Sequence, residues 1–396
     1  MEQASGDVAG VSKGGGRRPR RRPGWPGWLL AFAAFGGFAA CYDAATRSEN
    51  PRGPDDGDLD AQIGLEGHGS TVWGLAFSPD GARLAAATMD GTVSLKDLAS
   101  GRPASAARGA PGLARLLAFT SDGRVLAAAG LGPAVRLWDA ATFAEHPPLT
   151  VGGTRVNGLA FSPDGARLTV VARDRPAADW DWRRGRSCDT PARPVGEATR
   201  LAASADGAAL AVCDSVGRIT LWGPGAGRKV VVNARRAPAA ALALSPDGKT
   251  LAVAAPPDPA VVRVYDEAGE PRYSVGGEGR GVTGLAFSPD GALLAAADED
   301  GRARLYDAAE GRKRGVVAAP RALYAVAFSP DGATLATGDQ GGDVRLWSVA
   351  RALAADRRER PRARHAPAAA LGRLCGRLAA EIRKIPLTLA VLRLLS

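Results

Sequence analysis

The turn Ser-Pro-Asp-Gly constrains this chain more than any other feature, because it returns at a fixed interval. It stands at 78–81, 162–165, 245–248, 288–291 and 329–332, with variant copies at 120–123 and 204–207. The Asp of each copy falls at 80, 122, 164, 206, 247, 290 and 331, a step of 41 to 43 residues. A period of this length means a repeat architecture in which each unit is one supersecondary element.

The turn has a mechanism. Pro presets φ, Asp bonds its own backbone, and Gly supplies the left-handed conformation that ends a short hairpin loop. Short apolar runs flank each copy, of a length that suits strands. About ten residues on comes a third run that alternates apolar and polar. Val135, Leu137 and Trp138 with Arg136, Val262 and Val264 with Arg263, and Val344 and Leu346 with Arg345 are examples. Such alternation marks a strand with one buried and one wetter face. Weaker runs at 229–232, 271–275 and 316–318 supply a fourth strand. One four-stranded sheet cannot bury both its faces, whereas seven packed face to face around an axis can.

This repeat resembles the WD-repeat family of β-propellers, with its apolar strand, Ser-Pro-Asp-Gly turn, second strand and third strand ending in Trp-Asp. The resemblance covers residues 61–349 and implies an all-β domain, a seven-bladed β-propeller of four-stranded antiparallel blades. In that family an N-terminal strand completes the last blade. The segment 61–65 (Ala-Gln-Ile-Gly-Leu) is placed to do so beside Val344 and Trp347, which would remove an exposed sheet edge. The chain also departs from the family. The Gly-His pair stands only at Gly67-His68, and the Trp-Asp ending is intact at Trp138-Asp139, displaced at Trp180-Asp181 and altered in the other copies. The third repeat is the least regular, and 173–186 reads as a loop insertion. An Asp precedes the third strand at Asp90, Asp174 and Asp300 but not throughout, so the family's buried His-Asp-Ser/Thr-Trp network is mostly absent.

Charge is unevenly distributed. The formal net charge is +10, yet residues 61–349 hold 32 basic and 30 acidic side chains, while residues 350–396 hold 11 and 3. The propeller is nearly neutral, so the basic character does not argue for nucleic acid as a partner. Cys41, Cys188, Cys213 and Cys375 lack metal-ligand spacing and are too few for a disulfide framework. Cys213 sits in an apolar strand as a small buried hydrophobe. His68, His146 and His365 are poor raw material for a metal site or a histidine base. No catalytic residue, cofactor or metal is expected.

The tails carry separate signals. Residues 1–24 read as a disordered basic tail ending in Arg17, Arg18, Arg20, Arg21 and Arg22. Residues 25–42 contain no charge and are near the lower length of a membrane-spanning helix, with Trp25, Trp28 and Tyr42 suited to the interfaces. The arginines place the N-terminus in the cytoplasm and the propeller on the opposite side, extracytoplasmic. Two readings stay open here: a single-pass anchor, or a lipoprotein signal in which Phe38, Ala39 and Ala40 precede Cys41. Residues 43–60 form a linker. In the basic tail 350–396, the stretch 351–367 reads as a helix end and linker. Leu371, Leu374, Leu378, Ile382 and Ile385 then recur at helical spacing, an amphipathic helix for a membrane surface or a partner. High Ala, Gly, Arg and Pro usage points to a bacterial source.

Counting seven residues back from each turn Asp gives Trp73, Arg115, Asn157, Thr199, Ala240, Thr283 and Tyr324. In WD-repeat proteins the matching position often contacts partners. Ring closure would set Tyr324, Trp73 and Arg115 side by side, and these residue types are enriched in binding hot spots. Eight residues after the turn Asp lie Asp214, Asp298 and Asp339, of which Asp298 and Asp339 would border the aromatic pair. Trp73, Arg115, Tyr324, Asp298 and Asp339 are therefore the candidate partner-binding patch. Arg136, Arg263, Arg304 and Arg345 read as solvated or cross-strand paired. The sequence favours a non-catalytic, membrane-tethered scaffold that binds protein partners. The competing classes are a propeller enzyme, lactonase-like or quinoprotein-like, and an extracytoplasmic ligand sensor; an enzyme would need converging metal ligands or a nucleophile–base pair near the channel.

Overall fold

The computed structural model describes residues 69–359, apart from 101–102, 109–113, 189–196, 224–225, 234–237, 257 and 277–278. These residues form seven antiparallel sheets in chain order. Blade one holds β1 (Val72–Phe77), β2 (Arg83–Thr88), β3 (Thr92–Asp97) and β4 (Pro103–Arg108). Blade two holds β5 (Ala114–Phe119), β6 (Val125–Gly130), β7 (Ala134–Asp139) and β8 (Glu145–Thr150). Blade three holds β9 (Val156–Phe161), β10 (Arg167–Ala172), β11 (Ala178–Asp181) and β12 (Arg186–Ser187). Blade four holds β13 (Ala198–Ala203), β14 (Leu210–Asp214), β15 (Arg218–Gly223) and β16 (Ala226–Asn233). Blade five holds β17 (Ala241–Leu244), β18 (Leu251–Ala254), β19 (Val261–Tyr265) and β20 (Pro271–Gly276). Blade six holds β21 (Val282–Phe287), β22 (Leu293–Asp298), β23 (Arg302–Asp307) and β24 (Lys313–Ala318). Blade seven shows β25 (Leu323–Phe328), β26 (Thr334–Asp339) and β27 (Val344–Ser348), followed by helix α1 (Val349–Glu359). The first strands β1, β5, β9, β13, β17, β21 and β25 contact one another in that order, and β25 returns to β1. They ring the axis, and the chain is a seven-bladed propeller.

The repeated turn is built the same way in each blade. In blade six the Ser288 hydroxyl donates to the Asp290 carboxylate at 2.5 Å, and the same carboxylate accepts the Ala292 N–H at 3.0 Å. Ser288 Oγ in turn accepts the Leu293 N–H at 2.9 Å, and Gly291 N–H donates to Ser288 O. Gly291 sits at φ +70°, a region in which a side chain is strained. Blade two performs the same bonds with Thr120 and Asp122, which explains why the variant copy still makes the turn.

The third strands share one register. Trp138 pairs with Leu126, Trp180 with Leu168, Trp222 with Leu210, Tyr265 with Leu251, Tyr306 with Leu294 and Trp347 with Leu335. Trp180-Asp181 is therefore in place and not displaced: Trp180 pairs with Leu168, which lies four residues beyond the turn Asp164 as its counterparts do in the other blades. The stretch 173–186 is no insertion either: it supplies the turn, β11 and the start of β12. The irregularity is a shortening of the two outer strands. The Asp that follows the aromatic residue caps the next turn. Asp139 accepts from the backbone of Ala141 and Thr142, Asp181 from Arg184, and Asp307 from Ala309 and Glu310.

Burial follows the interfaces between blades. Among the described residues seven apolar clusters occur, and each one spans two neighbouring blades. The cluster that closes the ring joins Val72, Leu84 and Ala86 of blade one to Ala325, Ala336 and Val344 of blade seven. Ala85, Ala86 and Ala87 in β2, and Ala295, Ala296 and Ala297 in β22, are buried on both faces. Small side chains there let two sheets approach a central strand from either side, which is one use of the high alanine content. Helix α1 covers the rim of blades six and seven, with Val349 and Ala352 buried against Val317 and Trp347.

Among the described residues no helix is long and apolar enough to cross a membrane. The expected anchor 25–42, the linker 43–60, the closing segment 61–65 and the amphipathic repeat after Leu371 lie outside the described residues.

Candidate partner-binding face

The residues counted back from each turn share a backbone feature that the sequence did not reveal. The pairing of first and second strand skips one residue between Val72 and Gly74, Ala114 and Leu116, Ala198 and Arg200, Val282 and Gly284, and Leu323 and Ala325. In blade three it skips from Val156 to Gly158. Trp73, Arg115, Asn157, Thr199, Thr283 and Tyr324 are thus β-bulge residues. A bulge bends the strand and re-aims the extra side chain, and bulges occur often beside binding sites. Blade five is the exception, since its pairing is regular from Ala241 and Ala240 precedes the strand.

The bulge side chains reach toward neighbouring blades. Asn157 Nδ2 donates to Ala198 O in blade four at 2.8 Å, and Thr283 Oγ1 donates to Leu323 O in blade seven at 2.6 Å. At the ring-closing interface the contact is aromatic. The Trp73 and Tyr324 ring centroids lie 5.1 Å apart with planes tilted by 40°. On the other side the Arg115 guanidinium sits over the Trp73 ring, 4.9 Å from its centroid. The structure thus brings Tyr324, Trp73 and Arg115 into one row across blades seven, one and two. Burial, and then the neighbouring charge of Glu299, raise the Tyr324 hydroxyl above its usual pKa. The Trp73 indole nitrogen is buried and has no hydrogen-bond acceptor.

Asp298 and Asp339 are placed differently from the sequence expectation. They are only 2% and 0% exposed, so neither carboxylate faces a partner. Each stands at the end of a second strand and caps the turn that follows. Asp339 Oδ1 accepts the N–H of Gly341 at 2.8 Å and of Asp343 at 3.0 Å, while Oδ2 accepts Arg345 Nη1 at 2.5 Å. Asp298 repeats this with Asp300 N, Arg302 N and the Arg304 guanidinium. Asp214 does so with Val216, Arg218 N and Arg218 Nε. A short acceptor at the end of a second strand is what such a tight turn requires, and sequence counting cannot separate that need from an exposed ring position. Arg304 is accordingly buried rather than solvated. A cavity of about 10 Å³, room for one water, lies beside it between blades five and six. Arg136 is cross-strand paired, to Glu145.

Two further arginines flank the bulge ring and were not singled out from the sequence. Arg155 precedes β9 and donates to Asn157 Oδ1 at 2.8 Å, and Arg200 in β13 donates to Ala240 O at 3.1 Å. The available signal was a basic residue at the start of three successive blades with a bulge or near-bulge position. Among the described residues, no group of three or more His, Cys, Asp or Glu side chains is arranged to hold a metal ion.

Comparison with known proteins agrees with this geometry. The chain matches the WD domain, G-beta repeat family at residues 61–97, 269–307 and 315–348. The second stretch spans β20 to β23 and the third runs from β24 to β27, so the sequence repeat is offset from the blade by one strand. The chain is 44% identical to Striatin-4 of Homo sapiens over 71 residues, which cover 17% of this chain and 9% of that protein. It is 59% identical to Striatin-4 of Mus musculus over 39 residues, 10% of this chain and 5% of that one. The chain spans less than a tenth of the length of these relatives.

Proposed function

From a chain that carries WD repeats in a seven-bladed β-propeller, we propose a non-catalytic scaffold whose protein partner docks on the bulge face at the ring-closing interface. WD-repeat domains generally mediate protein interactions, which supports the class. The observation that carries the site is the row Tyr324, Trp73 and Arg115, three hot-spot residue types in which Trp73 of blade one touches both Tyr324 of blade seven and Arg115 of blade two. An aromatic pair backed by a cation offers apolar area with a fixed orientation and little side-chain entropy to lose on binding. Asp298 and Asp339 leave the patch and become supports for the turns behind it.

The test is quantitative capture with the full chain and with a Trp73→Ala plus Tyr324→Ala variant, at a temperature where both are folded. Loss of a defined set of partners is the expected result; unchanged capture would sink the docking site.

The scaffold is further proposed to be membrane-tethered. The support is the arginine run before the uncharged stretch 25–42, which under the positive-inside rule favours a propeller outside the cytoplasm. Fractionation and protease protection of a C-terminally tagged chain test this, and recovery of the whole chain in the cytoplasmic fraction would refute it.

A further inference from the structure

Arg115, Arg155 and Arg200 stand at the starts of three successive blades, on the bulge face. Their strands β5, β9 and β13 are neighbours around the axis, and Asn157, which accepts from Arg155, donates to Ala198 O two residues before Arg200. Burial, followed by the charges of Arg200 and Arg155, brings Arg115 down to about 9, and burial followed by Arg155 lowers Arg200. Burial, followed by the charge of Arg173, lowers Arg155, and Arg173 is itself next to Asp174, at 3.8 Å. Among the described residues none of the three has a carboxylate within ion-pair distance. Their partners are a side-chain amide oxygen, a backbone carbonyl and the Trp73 ring face. Other arginines of the propeller, Arg136, Arg218, Arg304, Arg314 and Arg345 among them, each hold an Asp or Glu.

Gathering three half-buried guanidiniums without a counter-charge opposes folding, because each gives up hydration and gains repulsion. An anion bound among them reverses both terms, and guanidinium forks match the two-oxygen geometry of carboxylate and phosphate. A second observation points the same way. The buried Trp73 N–H, on the residue that Arg115 covers, is a donor without an acceptor. This part of the face is rich in donors.

We propose that Arg115, Arg155 and Arg200 form a binding site for one oxyanion group, a carboxylate or a phosphate, at the bulge face of blades two to four. Carried on a peptide, that group would anchor the partner proposed above, and this extension rests on the scaffold reading; the anion site itself does not.

The experiment titrates the purified full chain with inorganic phosphate and, separately, with acetate and glutamate. Ionic strength is matched with chloride, and calorimetry and thermal unfolding are the readouts. A ligand that binds only the native state raises the midpoint in a saturable way. General salt effects on burial are not saturable at one site and act equally on variants. Saturation by phosphate alone identifies a phosphorylated group, saturation by the carboxylates alone an acidic side chain, and either supports the site. Affinity is expected to fall at least tenfold in Arg155→Gln and in Arg200→Gln. Equal binding by wild type and both variants, or no saturable binding of any of the three anions, overturns the proposal. If Arg200→Gln fails to fold, the less buried Arg155→Gln and the wild-type titration still decide. Intact phosphate binding in a Tyr324→Ala variant that loses its partners would separate the two sites.

Discussion

Trp73 of the first blade meets Tyr324 of the seventh at 5.1 Å between ring centroids, so the two ends of the described ring touch through an aromatic pair. Removing either ring opens the interface that closes the propeller. Trp73→Ala is expected to lower stability by about 2 kcal/mol, less than a fully buried Trp because the side chain is half-buried. A double-mutant cycle with Tyr324→Phe and Tyr324→Ala should return a coupling of roughly 0.5–1.5 kcal/mol. Trp73→Phe makes a sharper test. It keeps an aromatic face and deletes a buried N–H that has no acceptor, so the cost should stay within about 1 kcal/mol. Urea unfolding followed by circular dichroism measures all of these.

Asp339 should prove structural. Its carboxylate is fully buried, accepts two backbone N–H groups and holds Arg345. Asp339→Ala leaves the two backbone donors without an acceptor and takes from Arg345 one of its two carboxylates, Asp343 remaining at 2.9 Å, an expected loss of about 2–4 kcal/mol. Asp339→Asn retains an oxygen for Gly341 and Asp343 and should cost less. Partner capture by folded Asp339→Asn should be unchanged; a selective loss of binding at full stability would return this residue to the interface.

The architecture was legible because the element that carries it is local. Ser288, Asp290 and Gly291 satisfy one another within six residues, so their spacing alone reports a hairpin, and seven spacings report seven blades. The row Tyr324, Trp73 and Arg115 was legible for the same reason once the ring was closed. What escaped was long-range or backbone-level. The bulge that re-aims Trp73 leaves no mark in residue type. Asp298 is turned inward by the N–H groups of Asp300 and Arg302, which have no sequence signature of their own. Trp180 looked displaced because the shortened outer strands of blade three hide its register with Leu168.

The turns also predict an acid limit. Asp80, Asp122, Asp164, Asp206, Asp247, Asp290 and Asp331 are all held below the usual value of 3.8, first by the Ser or Thr hydroxyl two residues before and then by backbone N–H groups or, for Asp247, with burial opposing. A depressed folded-state pKa contributes stability that is present above the unfolded value and lost as pH falls through the folded one. The thermal midpoint should therefore be level near neutrality and fall once pH drops below about 4. These carboxylates are largely exposed, so each contributes modestly and the effect is their sum. Asp290→Asn should lower the midpoint at pH 7 and narrow the difference between pH 7 and pH 3. A midpoint constant from pH 7 to pH 3 contradicts the argument.

Gly315 tests whether helix α1 belongs to the propeller or merely follows it. The glycine lies in β24, the outer strand of blade six, and a Cβ placed on it would come 2.7 Å from the Ala352 carbonyl oxygen and 3.0 Å from its carbon. A strand position elsewhere favours a β-branched residue, so Gly315→Val on a bare outer strand should be neutral or stabilising. With α1 seated there the same change forces the helix away from Val317 and Trp347, at a cost of about 1–3 kcal/mol. Hydrogen exchange should speed up in α1 and at the exposed edge of β24 while the turns of blades one to four stay protected. A Gly315→Val chain at least as stable as the wild type, with unchanged exchange in α1, would show that the helix does not rest on this strand.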